Sequence, residues 1–289
     1  MGENDWTLDD PYGSFNVALV FPIWQSWFMR AKTEELLHFL LWTAETVSRP
    51  TWRNLTASFE GWAYRNGLDR QLRRLEKQQL VKRVSGPGGD RMYRLTETGR
   101  IQALGGRDPK ACWARQWDGR WRLILFDVPE ARHSLRTKLR RYLQKRGFGY
   151  LQNSVWITPD PVTEQRAILA DGPVDVESLI LLEARPCTGE SDAQIVAGAW
   201  DFVTINERYA KHQKILARRP RGRASSEIGA KAIHHWLREE REAWMGALWH
   251  DPLLPDSLLP DGYGGRHAWE ARLAVMREVG TQMRDFKVN

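Results

Sequence analysis

The chain has 289 residues, 42% hydrophobic and 27% charged, which is the balance of a folded soluble protein long enough for two or three domains. Its two cysteines, Cys112 and Cys187, have no metal-type spacing, which argues against a disulfide scaffold or a zinc module. Net charge is +7, and it is clustered: residues 65–94 carry nine Lys/Arg against three Asp/Glu, while residues 131–146 and 208–223 each carry seven basic and no acidic residues.

Those three stretches hold +20 between them and leave −13 for the rest of the chain. Basic charge concentrated on an acidic background is the footprint of a protein that meets phosphates. Each stretch taken alone reads better as a solvated face. The acidic start MGENDWTLDD is unlike a secretory leader. The apolar run from Phe15 to Phe28 is too short for a membrane span and contains Asn16, Pro22, Gln25 and Ser26. A cytoplasmic location without membrane contact is expected.

Residues 1–32 form an N-terminal extension, and the first patterned segment covers 33–106. TEELLHFLLWTAETV places Leu36, Leu37, Leu40 and Leu41 at helical spacing after Thr33. TWRNLTASF reads as a second, short helix, and a third is expected from Asn66 to about Gln79. On a wheel of about 100° per residue, Leu72 and Leu75 fall within about 40° of Leu68. Arg70, Arg73, Arg74 and Lys77 fall on the opposite side. LVKRV and RMYRL then alternate as strands around the glycine-rich turn SGPGGD. Three helices and a hairpin make a winged helix-turn-helix, whose third helix enters the major groove of DNA. Arg70, Arg73, Arg74 and Lys77 on that helix, with Arg65 just before it and Lys82, Arg83 and Arg91 on the wing, are the candidate DNA-binding residues. Arginine suits the task because its planar fork grips guanine or phosphate with two hydrogen bonds.

Residues 113–188 read as strand (WRLILFDVP), helix (131–146), two strands (FGYLQNSVWITP), short helix (VTEQRAILADG) and strand (SLILLEAR). The order βαββαβ is ferredoxin-like. Residues 192–289 read as mainly helical, with a basic break at RRPRGR, a helix from Ser226 to Leu248, the stretch HDPLLPDSLLPDGYGG and a final helix. The fold class expected is therefore a multidomain α+β chain.

Several separated motifs resemble one family in order. QWDGRWRLILFDVPE with LRTKLRRYLQKRGFGYLQNSVWITP resembles the central domain of the phenylacetate-degradation repressor (PaaX) family. AWDFVTINERYAKH and HDPLLPDSLLPDGYGG resemble two stretches of its C-terminal region, and LRRLEKQQLVKR with YRLTETG resembles its recognition helix and wing. The resemblance implies a homodimeric transcriptional repressor of a double-stranded DNA operator, released by an aromatic acyl-CoA thioester such as phenylacetyl-CoA. It also implies a middle domain similar to the small nuclease of CRISPR adaptation, serving structure rather than cleavage. Asp69 departs from the basic residue common early in the family's recognition helix.

Other chemistry is weaker. Asp127 ends the first ferredoxin-like strand, where a related nuclease would hold Mg²⁺, or it caps the following turn; a metal-dependent nuclease is the alternative function. His235 and Glu239, four apart, suit a shared metal or a plain ion pair on a solvated helix. Gly86, Gly88 and Gly89 do not lie between a strand and a helix, so no nucleotide loop is supported. No enzyme activity, cofactor or metal is expected. Trp156, Trp200, Trp236 and Trp244 are expected to supply apolar contacts across a dimer.

Overall fold

The computed structural model describes residues 36, 37, 40, 68–85, 91–127, 133–152, 154–162, 178–221 and 227–284. Most of the first two helices expected in the winged unit, the tip of the hairpin and the second ferredoxin-like helix lie outside the described residues, as does Arg65. Leu36, Leu37 and Leu40 are helical and buried.

Helix α1 (Leu68–Lys77) falls inside the span expected for the third helix. Leu72 and Leu75 are both 0% exposed, so the leucine face is the packed face. The chain leaves α1 through Gln79 at φ 56, with the Leu80 N–H bonded to the Leu75 carbonyl. Strands β1 (Val81–Ser85) and β2 (Arg91–Leu95) pair antiparallel, with Val81 opposite Leu95 and Lys82 opposite Arg94.

Two further helices, absent from the sequence-based expectation, come next. Helix α2 (Glu97–Ala103) begins at Thr96, whose hydroxyl accepts the Gly99 N–H at 2.9 Å and donates to the Gln79 carbonyl at 2.7 Å. Thr96 thereby caps one helix while fastening it to the exit of another. Helix α3 (Pro109–Trp113) is capped by Asp108 and carries proline in its first turn, where a missing N–H costs nothing.

The central region is a four-stranded sheet of β3 (Trp121–Asp127), β4 (Gly149–Gln152), β5 (Val155–Thr158) and β6 (Ser178–Ala184). Strand order is β4-β5-β3-β6, antiparallel throughout, the ferredoxin-like arrangement that the sequence order required. Helix α4 (His133–Lys145) buries Leu139 and Leu143 against Ile124, Phe126 and Trp156 on one sheet face. Trp121 and Ile157, on the other face, pack with Trp200, Leu254 and Leu258 from further along the chain. At one end of the described sheet, β6 leaves Ile180 50% and Leu182 47% exposed.

Helices α5 (Asp192–Ala199), α6 (Phe202–Ala217), α7 (Glu227–Leu248) and α8 (Gly265–Arg284), with a 3-10 turn at Asp256–Leu258, complete the described chain. A reciprocal capping box of Ser191 and Gln194 starts α5, and Asp201 caps α6. The apolar core runs in one cluster from Leu72 and Leu75 of α1, through Leu104 and Trp113, to Trp244, Leu248 and Trp269 of the C-terminal helices.

This packing corrects the expected role of four tryptophans. Trp156, Trp200, Trp236 and Trp244 are between 1% and 8% exposed, so their rings fill the chain's own cores and are not offered to a second copy. A large ring buries as much apolar area inside a chain as between chains, and sequence alone does not separate the two.

Candidate nucleic-acid interface

The face of α1 opposite Leu72 and Leu75 is cationic. Arg70, Arg73 and Lys77 are exposed and Arg74 is half-buried. The helical phase expected from leucine spacing is therefore correct: the leucines face inward and the cations outward. On the hairpin, Lys82 and Arg83 are exposed, while Arg91 lies in β2 with its side chain outside the described set.

Arg94 escaped the sequence reading. It is exposed and sits directly opposite Lys82 in the β1–β2 register. Directly opposed side chains lie on one sheet face, so two cations are held side by side, which destabilises a hairpin unless a negative charge meets them. Knowing the strand pairing would have found it; composition could not. Its strand neighbour Tyr93 is buried, which anchors the hairpin to the core that α1 packs on.

Thr96 and Gly99 fix the angle between α1 and α2. The Thr96 N–H donates to the Leu80 carbonyl at 3.0 Å, and a Cβ at Gly99 would stand 2.8 Å from the Leu80 carbonyl carbon. Only glycine lets α2 lie this close to the exit of α1.

Beyond α2 the cationic unit is bolted to the rest of the chain around Asp251. Arg107 donates to the carbonyls of Asp251, at 2.7 Å, and Pro252. Arg115 donates to the Leu253 carbonyl and forms a two-pronged pair with Asp160 at 2.7 and 3.1 Å. The Asp251 carboxylate accepts from Tyr209, Tyr263 and the Leu253 N–H, and the Trp113 indole donates to the Tyr263 hydroxyl at 3.1 Å. Burial pushes the Asp251 carboxyl above its ordinary range, and the tyrosine hydrogen bonds pull it back. Burial likewise raises both tyrosine hydroxyls, with the Asp251 charge adding to it, so both stay protonated donors. The DPLL stretch is thus a joint between the chain around α3, the central sheet and α6.

A second buried polar group lies among α6, α7 and α8. Glu240 accepts from Arg272 at 2.6 Å and contacts His212 at 2.9 Å, and all three side chains are 0% exposed. The sequence reading picked out the neighbouring His235 and Glu239, both exposed, whereas the paired residues are His212 and Glu240. Asp127 is exposed at the end of β3, opposite Ser178. Among the described residues, no group of three or more His, Cys, Asp or Glu side chains is placed to hold a metal ion. Nor is any described helix long and apolar enough to cross a membrane.

A four-stranded antiparallel sheet in this order, with α4 against one face, is a ferredoxin-like arrangement. Residues 114–196 match the family model described as the PaaX protein central Cas2-like domain. The chain is also similar in fold to a solved structure, the uncharacterized protein Rv0674 from Mycobacterium tuberculosis, at 20% identity and a TM-score of 0.53. That likeness covers 86% of this chain and 95% of the other, and at such identity it speaks for the fold alone. No curated protein matches the chain.

Proposed function

We propose that the chain is a DNA-binding transcriptional regulator, a repressor that holds its operator as a homodimer and lets go when a small molecule such as an aromatic acyl-CoA thioester binds. The observation that carries this reading is the cationic face of α1, set opposite the buried Leu72 and Leu75 and followed directly by a hairpin with Lys82 beside Arg94. Such a helix and wing suit a major groove and its flanking phosphates. The PaaX-type central domain supports the same reading. On it, residues 33–106 form the winged helix-turn-helix unit, 113–188 the ferredoxin-like unit and 192–289 the helical unit, and Arg65 and Arg91 join the DNA-binding set.

One recognition helix covers too few base pairs to find a site in a genome, so two-fold pairing is part of the proposal. Ile180 and Leu182, exposed on β6, offer apolar surface for it. The test is selection of bound fragments from a genomic library, followed by footprinting. Inverted half-sites about one helical turn or a multiple apart, occupied by one dimer, are expected. Footprints without two-fold symmetry, or a monomer by light scattering at micromolar concentration, refute the dimeric repressor. The nuclease reading keeps one foothold in the exposed Asp127; Mg²⁺-dependent cleavage of DNA or RNA, abolished by Asp127→Ala, would install it instead.

A further inference from the structure

Helix α4 carries cationic charge that contacts from α1 and the hairpin leave unexplained. It has five Lys/Arg and no Asp/Glu, and Arg146 follows it directly. Arg140 and Arg141 are exposed, and Lys145 and Arg146 are half-buried. A polybasic helix of this length presents positive potential over about 20 Å, enough to track several phosphates.

Charge alone does not name a partner; the rings beside it do. Tyr150 and Trp249 are 40% and 42% exposed, so both rings are accessible from solvent. Each stands next to a cation. The Arg140 guanidinium lies over the Tyr150 ring at 5.8 Å and the Lys145 ammonium over the Trp249 ring at 4.6 Å. Both rings line one cavity of about 400 Å³, where β4 and the end of α4 meet the start of α6 and the chain just after α7. Phe148, Trp156 and Trp200, all buried, make its floor. A Cβ at Gly149 would stand 2.7 Å from the Ala199 Cβ and from the Trp200 ring, so only glycine lets β4 lie this close. The Trp200 indole N–H donates to the Gly147 carbonyl at 3.1 Å, which holds that ring in place.

Inside the cavity the chemistry changes. Gln144 and His250 bring an amide and an imidazole to its wall, and Asp201 brings a carboxylate. The Thr204 N–H at 3.0 Å and hydroxyl at 2.6 Å engage that carboxylate at the cap of α6. A carboxylate repels phosphate but accepts from an amino or ring N–H group. Phosphates are thus kept outside, along α4, while a flat uncharged group with hydrogen-bonding edges suits the space between the rings.

We infer that this surface binds single-stranded nucleic acid, its bases stacked on Tyr150 and Trp249 and its phosphates along Arg140, Arg141 and Lys145. Exposed rings beside cations hold single strands with little regard to sequence. In a duplex the base faces are covered by their neighbours and offer these rings nothing to stack on. An anionic membrane also attracts basic and aromatic surfaces, but it needs rings that project, and these line a hollow. Single-stranded DNA and RNA share the chemistry of base and phosphate. The surface has no residue in common with the α1 face, so the inference does not rest on the repressor reading.

The test uses the full chain and fluorescence anisotropy with labelled oligo-dT and oligo-rU of about 15 nucleotides. Competitors are an abasic strand of equal length, a duplex, polyglutamate and vesicles of phosphatidylglycerol with phosphatidylcholine. Saturable binding of either strand supports the inference, and the tighter of the two assigns the sugar. The abasic strand keeps the charge and loses the bases, so it should bind about tenfold more weakly. Trp249→Ala and Tyr150→Ala should each weaken strand binding about tenfold, Trp249→Phe should retain most of it, and Arg70→Ala should leave it unchanged. The thermal midpoint shows that the variants remain folded, and the abasic comparison stands even where a substitution unfolds the chain. No saturable binding of either strand, or unchanged affinity in both ring variants, overturns the inference. So does an abasic strand, duplex, polyglutamate or vesicle that competes as well as the strand itself. A loss in Arg70→Ala equal to that in the ring variants would place the strand on α1 and overturn it too.

Discussion

Gly99→Ala puts two effects of opposite sign in competition. Gly99 lies within α2, where alanine is favoured over glycine by about 1 kcal/mol. Against that gain stands the Leu80 backbone: the new Cβ would overlap the carbonyl oxygen and stand 2.8 and 3.1 Å from the carbonyl carbon and Cα. Backbone cannot swing aside as a side-chain end can, so α2 must move away from the exit of α1. That movement loosens the Thr96 N–H to Leu80 bond of 3.0 Å and the Thr96 hydroxyl to Gln79 bond of 2.7 Å, each contributing about 1 kcal/mol. Overpacking adds roughly 1–3 kcal/mol. The net expectation is a loss of about 2–4 kcal/mol, together with weaker DNA binding under the proposed function as α1 loses its fixed angle to α2. Urea unfolding followed by circular dichroism measures the first part and fluorescence anisotropy the second. A neutral or stabilising Gly99→Ala would show that α2 does not sit against Leu80.

Glu240→Ala removes the buried carboxylate that pairs with the buried Arg272 and should cost about 3–5 kcal/mol in urea unfolding; a loss under about 1 kcal/mol would contradict a fully buried pair. Arg94→Ala should weaken DNA binding while leaving the fold as stable as before or about 0.2–1 kcal/mol more stable, because it relieves the opposition to Lys82; a clear loss of stability refutes the like-charge argument. In the central domain, Arg122 holds the Asp118 carboxyl below its ordinary value near 3.8, and Arg120 with Arg122 holds Glu183 below 4.5. Carboxyls lowered in the folded state contribute stability above those values and lose it as pH falls through the folded ones. The protein should therefore weaken below about pH 4.5, and Asp118→Asn should flatten that dependence; an acid-unfolding curve unchanged by the substitution rules it out.

Periodic features of the fold could be read from the sequence, and features made by distant partners could not. The leucine phase of α1 follows from spacing alone, and so do the strand alternation of β1 and β2 and the span of α7. Thr96 and Gly99 fall in YRLTETG, which resembles a family wing, and the cap becomes visible only once Gln79 and Leu80 are beside it. Arg94 needed the strand register. Glu240 needed Arg272, 32 residues away, and its exposed neighbour Glu239 drew the attention in its place. The cavity at Tyr150 and Trp249 joins residues about a hundred positions apart, beyond any local pattern.

The claim that the α1 face meets DNA is tested most directly by the salt dependence of binding. Affinity for a selected duplex is measured between low and physiological salt for the parent chain and for Arg70→Ala, Arg73→Ala and Lys77→Ala. The parent should bind with a steep negative slope of log affinity against log salt, and each variant that removes a phosphate contact should reduce that slope by roughly one. A variant that removes a base contact should instead relax preference at one position, at a cost of about 1–3 kcal/mol. No duplex bound at low salt, or three variants with the parent's affinity and slope, would contradict a DNA-binding role for this face.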